Sequence, residues 1–212
     1  SDGLSIEEFA ENLEEELAQL QKELSSWSYK PGPVRGVEIP KAGNSGTRLL
    51  GIPNVRDRVI QATIKLILEP ILDPLFSEHS FGFRPDKGQQ KAVEMAHAHV
   101  KMGKEFVVDI DLAQFFDRVN HNRLISRLGT IIKDKRILRL IGIILRGGMM
   151  KSGIVSVKKE GTVQGSPLSP LLSNLVLDEL DQELEKRRLL FCRLADDCNI
   201  FVASQKAADR VM

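Results

Sequence analysis

The stretch Phe191-Cys192-Arg193-Leu194-Ala195-Asp196-Asp197-Cys198-Asn199-Ile200-Phe201-Val202 sets two adjacent acids inside an otherwise apolar, strand-like run. Successive side chains along a strand point to opposite faces, so neighbouring aspartates are directed outwards together most cheaply in the turn of a β-hairpin. A second run lies upstream, Phe106-Val107-Val108-Asp109-Ile110-Asp111-Leu112, rich in β-branched residues and broken twice by aspartate. If the two segments pair side by side, three carboxylates meet at one spot. Their repulsion then raises at least one pKa unless a divalent cation sits among them. Oxygen-only ligation suits magnesium, which keeps several waters and takes phosphate oxygens as further ligands. The pattern predicts phosphoryl-transfer chemistry at Asp196, Asp197 and one of Asp109 and Asp111.

The surrounding chain is ample for a packed core. Its 212 residues, 42% hydrophobic and 28% charged, allow one large domain or two small ones. The longest apolar runs, such as Ile141-Gly142-Ile143-Ile144-Leu145, fall far short of the roughly 20 residues a membrane span needs. No basic-then-apolar leader opens the sequence, so no membrane partner is expected. Cys192 and Cys198 are the only cysteines, which argues against a disulfide framework and for a reducing compartment. Net charge is +1 for the whole chain but divides unevenly: residues 1–26 hold eight acids and one base, the remainder 29 bases and 21 acids. A body of +8 permits a nucleic-acid partner without demanding one.

Along the chain, Phe9, Leu13, Leu17, Leu20 and Leu24 recur with helical period, and Ser5 with Glu8 forms a capping box, predicting one amphipathic helix over 5–24 with a solvated acidic face. Trp27 to Pro33 reads as a linker. Residues 34–41 and 47–53 flank the turn-forming Ala42-Gly43-Asn44-Ser45-Gly46 as a hairpin, with Lys41 and Arg48 near its inner ends. A helix capped by Asn54 and running to about Leu72 is expected to be buried over much of its circumference. Ser80-Phe81-Gly82-Phe83-Arg84-Pro85 is an irregular loop before a helix capped by Asp86. Its aromatics and arginine suit a nucleotide strand, or else fill the core. Helices at about 122–129 and 134–146 precede a second hairpin over 151–163. Gly161 to Pro170 forms a constrained loop ahead of a helix from Leu168 to about Arg187, in which Asp178, Glu179, Asp181, Glu183 and Glu185 mostly face water.

Taken together, these blocks resemble the reverse transcriptases encoded by group II introns. The carriers are Arg48-Leu49-Leu50-Gly51-Ile52-Pro53, Ser80-Phe81-Gly82-Phe83-Arg84-Pro85, Val108-Asp109-Ile110-Asp111-Leu112 through Phe115-Phe116-Asp117-Arg118-Val119-Asn120-His121, Gln164-Gly165-Ser166-Pro167-Leu168-Ser169-Pro170, and Ala195-Asp196-Asp197. The resemblance implies an α+β fold, the fingers and partial palm of a right-hand polymerase, with an antiparallel palm sheet packed on helices and helix-rich fingers carrying a β-hairpin. Residues 1–104 would form the fingers with an N-terminal helical extension. Residues 105–212 would form mainly palm, with a fingers-side insertion around 130–160.

It further implies an RNA-directed DNA polymerase whose full-length form also binds intron RNA to assist splicing and retromobility. The alternative is a weakly catalytic or non-catalytic RNA-binding splicing cofactor, a maturase. By the resemblance, Asp111, Asp196 and Asp197 are the catalytic metal ligands for two magnesium ions, manganese being a possible substitute, roughly 4 Å apart. Lys41 and Arg48 would close on the triphosphate. Phe115 or Phe116 would lie under the sugar and exclude a 2′-hydroxyl. Gln164 would contact the nucleotide, and Gly165, Ser166 and Pro167, with Arg84, would shape the nucleic-acid path.

Implied partners are an intron RNA template, a DNA or RNA primer, deoxynucleoside triphosphates and a possible homodimer mate; the implied setting is a bacterial cytoplasm or an organelle. Two departures stand out: Leu194 replaces the family's usual tyrosine before Ala-Asp-Asp, and thumb and maturase regions are missing from these 212 residues. The second predicts poor primer extension by the chain alone.

Overall fold

Ser5 starts the first helix as its sequence signature predicts: its hydroxyl accepts the Glu8 N–H at 3.1 Å and the Glu8 carboxylate accepts the Ser5 N–H at 2.8 Å. The computed structural model describes residues 3–40, 46–112, 115–151, 154–157 and 160–212, with only the backbone described at residues 48, 151 and 154–157. The expected single helix is two, α1 (Ile6–Glu11) and α2 (Leu13–Ser25). Between them Asn12 leaves helical geometry at φ −110° and ψ 28°, and its side-chain amide shares the Glu8 carbonyl with its own N–H. Phe9 and Leu20 are buried, whereas Leu13 and Leu17 stand in water.

Strands β1 (Val34–Pro40) and β2 (Thr47–Ile52) form the expected hairpin, followed by α3 (Val55–Leu72). The segment before them is no slack linker, because Tyr29 and the Gly32 N–H donate to the two oxygens of Asp57 on α3 at 2.6 and 2.9 Å. Arg56 on α3 likewise pairs with Glu16 and Glu23 of α2 at 3.1 and 2.9 Å. Burial of α3 follows the spacing Ile60, Ile64, Leu68, Leu72. Leu66, Ile67 and Ile71 remain exposed in the second half, whereas Val55, Asp57 and Gln61 are also buried in the first, so burial over much of the circumference holds only for the first half of the helix.

Helix α4 (Gln89–Lys101) is capped at Gly88 rather than Asp86, which sits at φ 54° in the turn before it. Then come β3 (Phe106–Asp111), α5 (Phe115–Arg118), α6 (His121–Ile131) and α7 (Lys135–Leu145), the last two capped by Asn120 and Asp134. β4 (Gly148–Lys151) and β5 (Ile154–Val157) precede α8 (Ser169–Lys186), β6 (Leu190–Leu194), β7 (Asp197–Val202) and α9 (Gln205–Val211). No described helix is long and apolar enough to cross a membrane. Two acids on α8 depart from expectation: Asp178 and Asp181 are 3% and 0% exposed. Asp181 is buried because it meets a buried arginine, and Asp178 accepts from Gln182 at 2.6 Å.

The chain divides into two compact units, Ser1–Leu66 with Phe116–Ser169, and Ile67–Phe115 with Pro170–Met212. In the first, a sheet of order β2-β1-β4-β5 joins both hairpins: β1 runs antiparallel to β2 and parallel to β4. In the second, an antiparallel sheet of order β3-β7-β6 separates two apolar layers. Val108, Phe191, Cys198, Ile200 and Val202 pack on one face with Leu184 and Ala208 of α8 and α9. Cys192 and Phe201 pack on the other with Phe81 and Ala92 of α4's side. The two cysteines therefore project from opposite faces, and both are free thiols. Burial pushes Cys192 up to about 11 and Cys198 to about 12.

Candidate active site

The acidic doublet sits where a hairpin turn places it. β6 and β7 pair with Leu194 opposite Asp197, leaving Ala195 and Asp196 as a two-residue loop. Ala195 has φ 59° and Asp196 does not share a positive φ, the pattern of a type II′ turn. β3 pairs with β7 so that Asp111 stands directly opposite Asp197 and Asp109 opposite Asn199. By the pleat, Asp109, Asp111, Asp197 and Asn199 share one face of this sheet, and Asp196 lies in the turn at its end. Backbone register thus brings the β3 carboxylates up to the acidic doublet.

Electrostatics report the crowding. Desolvation raises the Asp197 carboxyl above its ordinary value, and the neighbouring charges of Asp196, Asp111 and Asp109 push it further in the same direction. Among the described residues no three His, Cys, Asp or Glu side chains are gathered at metal-ligand spacing, so there is no closed protein cage. The donor set is nonetheless all oxygen, open to water and, among the described residues, forms no ion pair. That chemistry fits a hard divalent cation that completes its shell with water and phosphate.

The loop Ser80–Pro85 supports this turn. Gly82 lies so close to it that a Cβ would collide with the Ala195 nitrogen and come within 2.9 Å of the Ala195 Cα. Phe81 is buried and Phe83 is exposed at φ 57°. Arg84, expected on the nucleic-acid path, is 9% exposed. Its guanidinium is committed to the Asp73 carboxylate at 2.7 Å and to the carbonyls of Ser77, Ser80 and Asp73. It braces the loop from inside. Leu194 packs beside the cluster of Phe81, Ala92, Cys192 and Phe201, so leucine fills an apolar position there.

In the other compact unit, the Gln164–Pro167 loop is held by backbone contacts that sequence alone did not show. The Gly51 N–H donates to the Gln164 carbonyl at 2.7 Å. Gly165 has φ +109°, and a Cβ on it would lie 2.6 Å from the Gly51 carbonyl. Ser166 is buried and donates to Gln61 of α3, while Gln164 and Pro167 are half-buried. The loop's start is tied to the turn carrying Phe116: Thr162 N–H donates to the Phe116 carbonyl at 2.6 Å, Gly161 N–H to that of Val119 at 2.8 Å, and His121 Nε2 lies 2.7 Å from the Gly161 carbonyl. Phe115 and Phe116 are both half-buried, so exposure does not single out either. Lys41 lies outside the described residues, as does the side chain of Arg48.

Arg193, Asp181, Asn174 and Gln61 were not among the expected site residues. A signal existed for two of them: Arg193 is a charge inside an apolar strand, and Asp181 falls on the inward phase of α8 with Leu177 and Leu184.

Comparison with known proteins agrees with this geometry. Residues 39–212 match the family model "Reverse transcriptase (RNA-dependent DNA polymerase)". The chain is 34% identical over 180 residues to the group II intron-encoded protein LtrA of Lactococcus lactis subsp. cremoris, a match covering 85% of this chain and 30% of that protein. It is 36% identical over 192 residues to protein YkfC of Escherichia coli K12, covering 89% and 50%. The match to the putative COX1/OXI3 intron 2 protein of Saccharomyces cerevisiae is 36% over 172 residues, covering 81% and 20%. The chain thus spans half or less of these relatives. Among solved structures, a partial Cas6-RT-Cas1–Cas2 complex aligns with TM-score 0.57 at 30% identity over 91% of this chain and 34% of that one. Telomerase from Candida tropicalis aligns with TM-score 0.65 at 13% identity over 92% and 40%, which speaks for the fold alone. The facing of Asp111 and Asp197, the ordered sequence blocks and these matches converge: the chain belongs to the reverse transcriptase family, among relatives of the group II intron-encoded type.

Proposed function

We propose that this chain is the nucleotide-adding part of a group II intron RNA-directed DNA polymerase, whose whole protein also binds its intron RNA. The observation that carries the reading is the β3–β7 register, which sets Asp111 against Asp197 beside Asp196. In this reading the three carboxylates hold divalent metal, magnesium first and manganese as a substitute. Such ions supply Lewis-acid polarisation and neutralise phosphate charge in an in-line displacement. Asp111, Asp196 and Asp197 supply the anionic oxygens that would hold that charge at the primer end. Lys41 and Arg48 supply positive charge to the triphosphate of a deoxynucleotide. Phe115 or Phe116 sets the sugar's steric limit. Gln164 meets the nucleotide, with Gly165, Ser166 and Pro167 allowing close backbone approach to template.

Residues 1–104 then serve as fingers and 105–212 mainly as palm. The pairing of β4 with β1 supports a fingers-side insertion around 130–160. A homodimer is part of the proposal: Ile67, Ile71 and Leu75, four residues apart, are 50%, 46% and 52% exposed and offer apolar surface for self-association. A bacterial cytoplasm or an organelle is the setting this reading implies. The test is primer extension on an RNA template by the whole parent protein. Magnesium-dependent incorporation of deoxynucleotides that Asp196→Ala abolishes is the expected result. Incorporation that survives Asp196→Ala would overturn the assignment.

A further inference from the structure

Arg193 is charged, yet it is 0% exposed, within strand β6 immediately before the acidic turn. Its Nε and Nη2 donate to the two carboxylate oxygens of Asp181 at 2.7 and 2.6 Å. Nη2 also donates to the Ser80 hydroxyl at 2.8 Å, and Nη1 donates to Asn174 Oδ1 at 3.1 Å and to the Ala195 carbonyl at 2.7 Å. The backbone adds two more ties, Phe81 N–H to the Arg193 carbonyl at 2.8 Å and Arg193 N–H to the His79 carbonyl at 2.9 Å. Asn174, on α8, completes the circuit by donating to the Gly82 carbonyl at 2.8 Å.

If Arg193 and Asp181 served only to fill the interior, well-packed apolar residues would do as well, because desolvating an ion pair offsets most of its attraction. An apolar side chain cannot, however, bond the Ala195 carbonyl. That carbonyl belongs to the central peptide of the Ala195–Asp196 turn, and the orientation of this peptide is what distinguishes a II′ from a I′ turn. Ala195 also holds a positive φ that costs a residue bearing Cβ, so the turn needs outside support. Flipping the central peptide would redirect the Asp196 backbone and with it the carboxylate. Gly82 packs against the backbone of the same turn, leaving no room for a Cβ.

We propose that Arg193 is a positioning residue: by fixing the Ala195 carbonyl it locks the turn so that Asp196 faces the cation shared with Asp111 and Asp197. The inference rests on the reading of those carboxylates as metal ligands. It also gives the Ser80–Pro85 loop a role, as part of the clamp through Ser80, Phe81 and Gly82.

The test measures Mn²⁺ binding to the 212-residue chain by isothermal titration and by the electron paramagnetic resonance of free Mn²⁺. Wild type is compared with Arg193→Lys, Gly82→Ala and Asp196→Ala, each checked for folding by circular dichroism. Lysine keeps the charge but cannot hold Asp181 in bidentate fashion and reach the Ala195 carbonyl as well. Outer-shell changes of this kind weaken metal affinity by roughly 10–100-fold, and that loss is expected for Arg193→Lys and for Gly82→Ala, with Asp196→Ala losing the site. If Arg193→Lys fails to fold, Gly82→Ala decides. Unchanged Mn²⁺ affinity in the folded positioning variants, with binding lost in Asp196→Ala, overturns the positioning role alone. Binding insensitive to Asp196→Ala overturns the ligand reading, and the positioning role with it.

Discussion

Asp197 shows how register becomes chemistry at a single side chain. Its carboxyl is raised from 3.8 by desolvation first and then by Asp196, Asp111 and Asp109. A carboxyl whose folded pKa lies above its unfolded value favours folding while protonated, and that contribution is lost as pH rises through the folded value. Asp197→Asn is therefore expected to raise the melting temperature of the metal-free chain at neutral pH and to change it little below about pH 3.8, as read by melts in chelator. Added Mn²⁺ should stabilise wild type more than this variant. Gly165 makes a steric case of the same directness: its φ of +109° and its closeness to the Gly51 carbonyl leave no place for a side chain. Gly165→Ala is expected to cost about 1–3 kcal/mol in urea unfolding.

At the scale of elements, α8 and β6 are joined by a charge pair from which water is excluded, with Asp181 and Arg193 both at 0% exposure. Asp181→Ala strands the guanidinium and is expected to cost about 3–5 kcal/mol, measured by denaturant melts. Helix α4 meets the same sheet through His99, which is 4% exposed and lies tilted against Phe201 with ring centroids 5.3 Å apart. Burial lowers its pKa from 6.5, and neighbouring His79 acts in the same direction. A depressed histidine contributes stability that is present above pH 6.5 and lost as pH falls through the folded value. His99→Phe should flatten the loss of stability on the acid side of pH 6.5.

The first hairpin, the hairpin of the acidic doublet, the helix order and the capping box at Ser5 were legible because each depends on local period or turn chemistry, while the second hairpin, expected over 151–163, lies earlier, in β4 and β5. The break at Asn12 and the shift of a helix cap from Asp86 to Gly88 were not, since each turns on a local balance of backbone bonds that neighbouring residue types leave undecided. Asp181 looks like a solvated acid until the distant Arg193 is placed, and that is a tertiary fact.

For the molecule as a whole, both compact units are discontinuous in sequence: each is built from an early and a late segment. The carboxylates could be read from sequence because the antiparallel pairing of β3 with β7 needs only two matched apolar runs. The clamp around them could not, because it closes over separations such as Ser80 to Arg193. The central claim is that Asp111 and the Asp196–Asp197 doublet share divalent ions. Anomalous diffraction from crystals of this chain grown with Mn²⁺ tests it most directly. The account predicts Mn²⁺ density bonded to oxygens of Asp111 and of at least one of the doublet. Mn²⁺ density elsewhere, with these carboxylates ligating none, would contradict it.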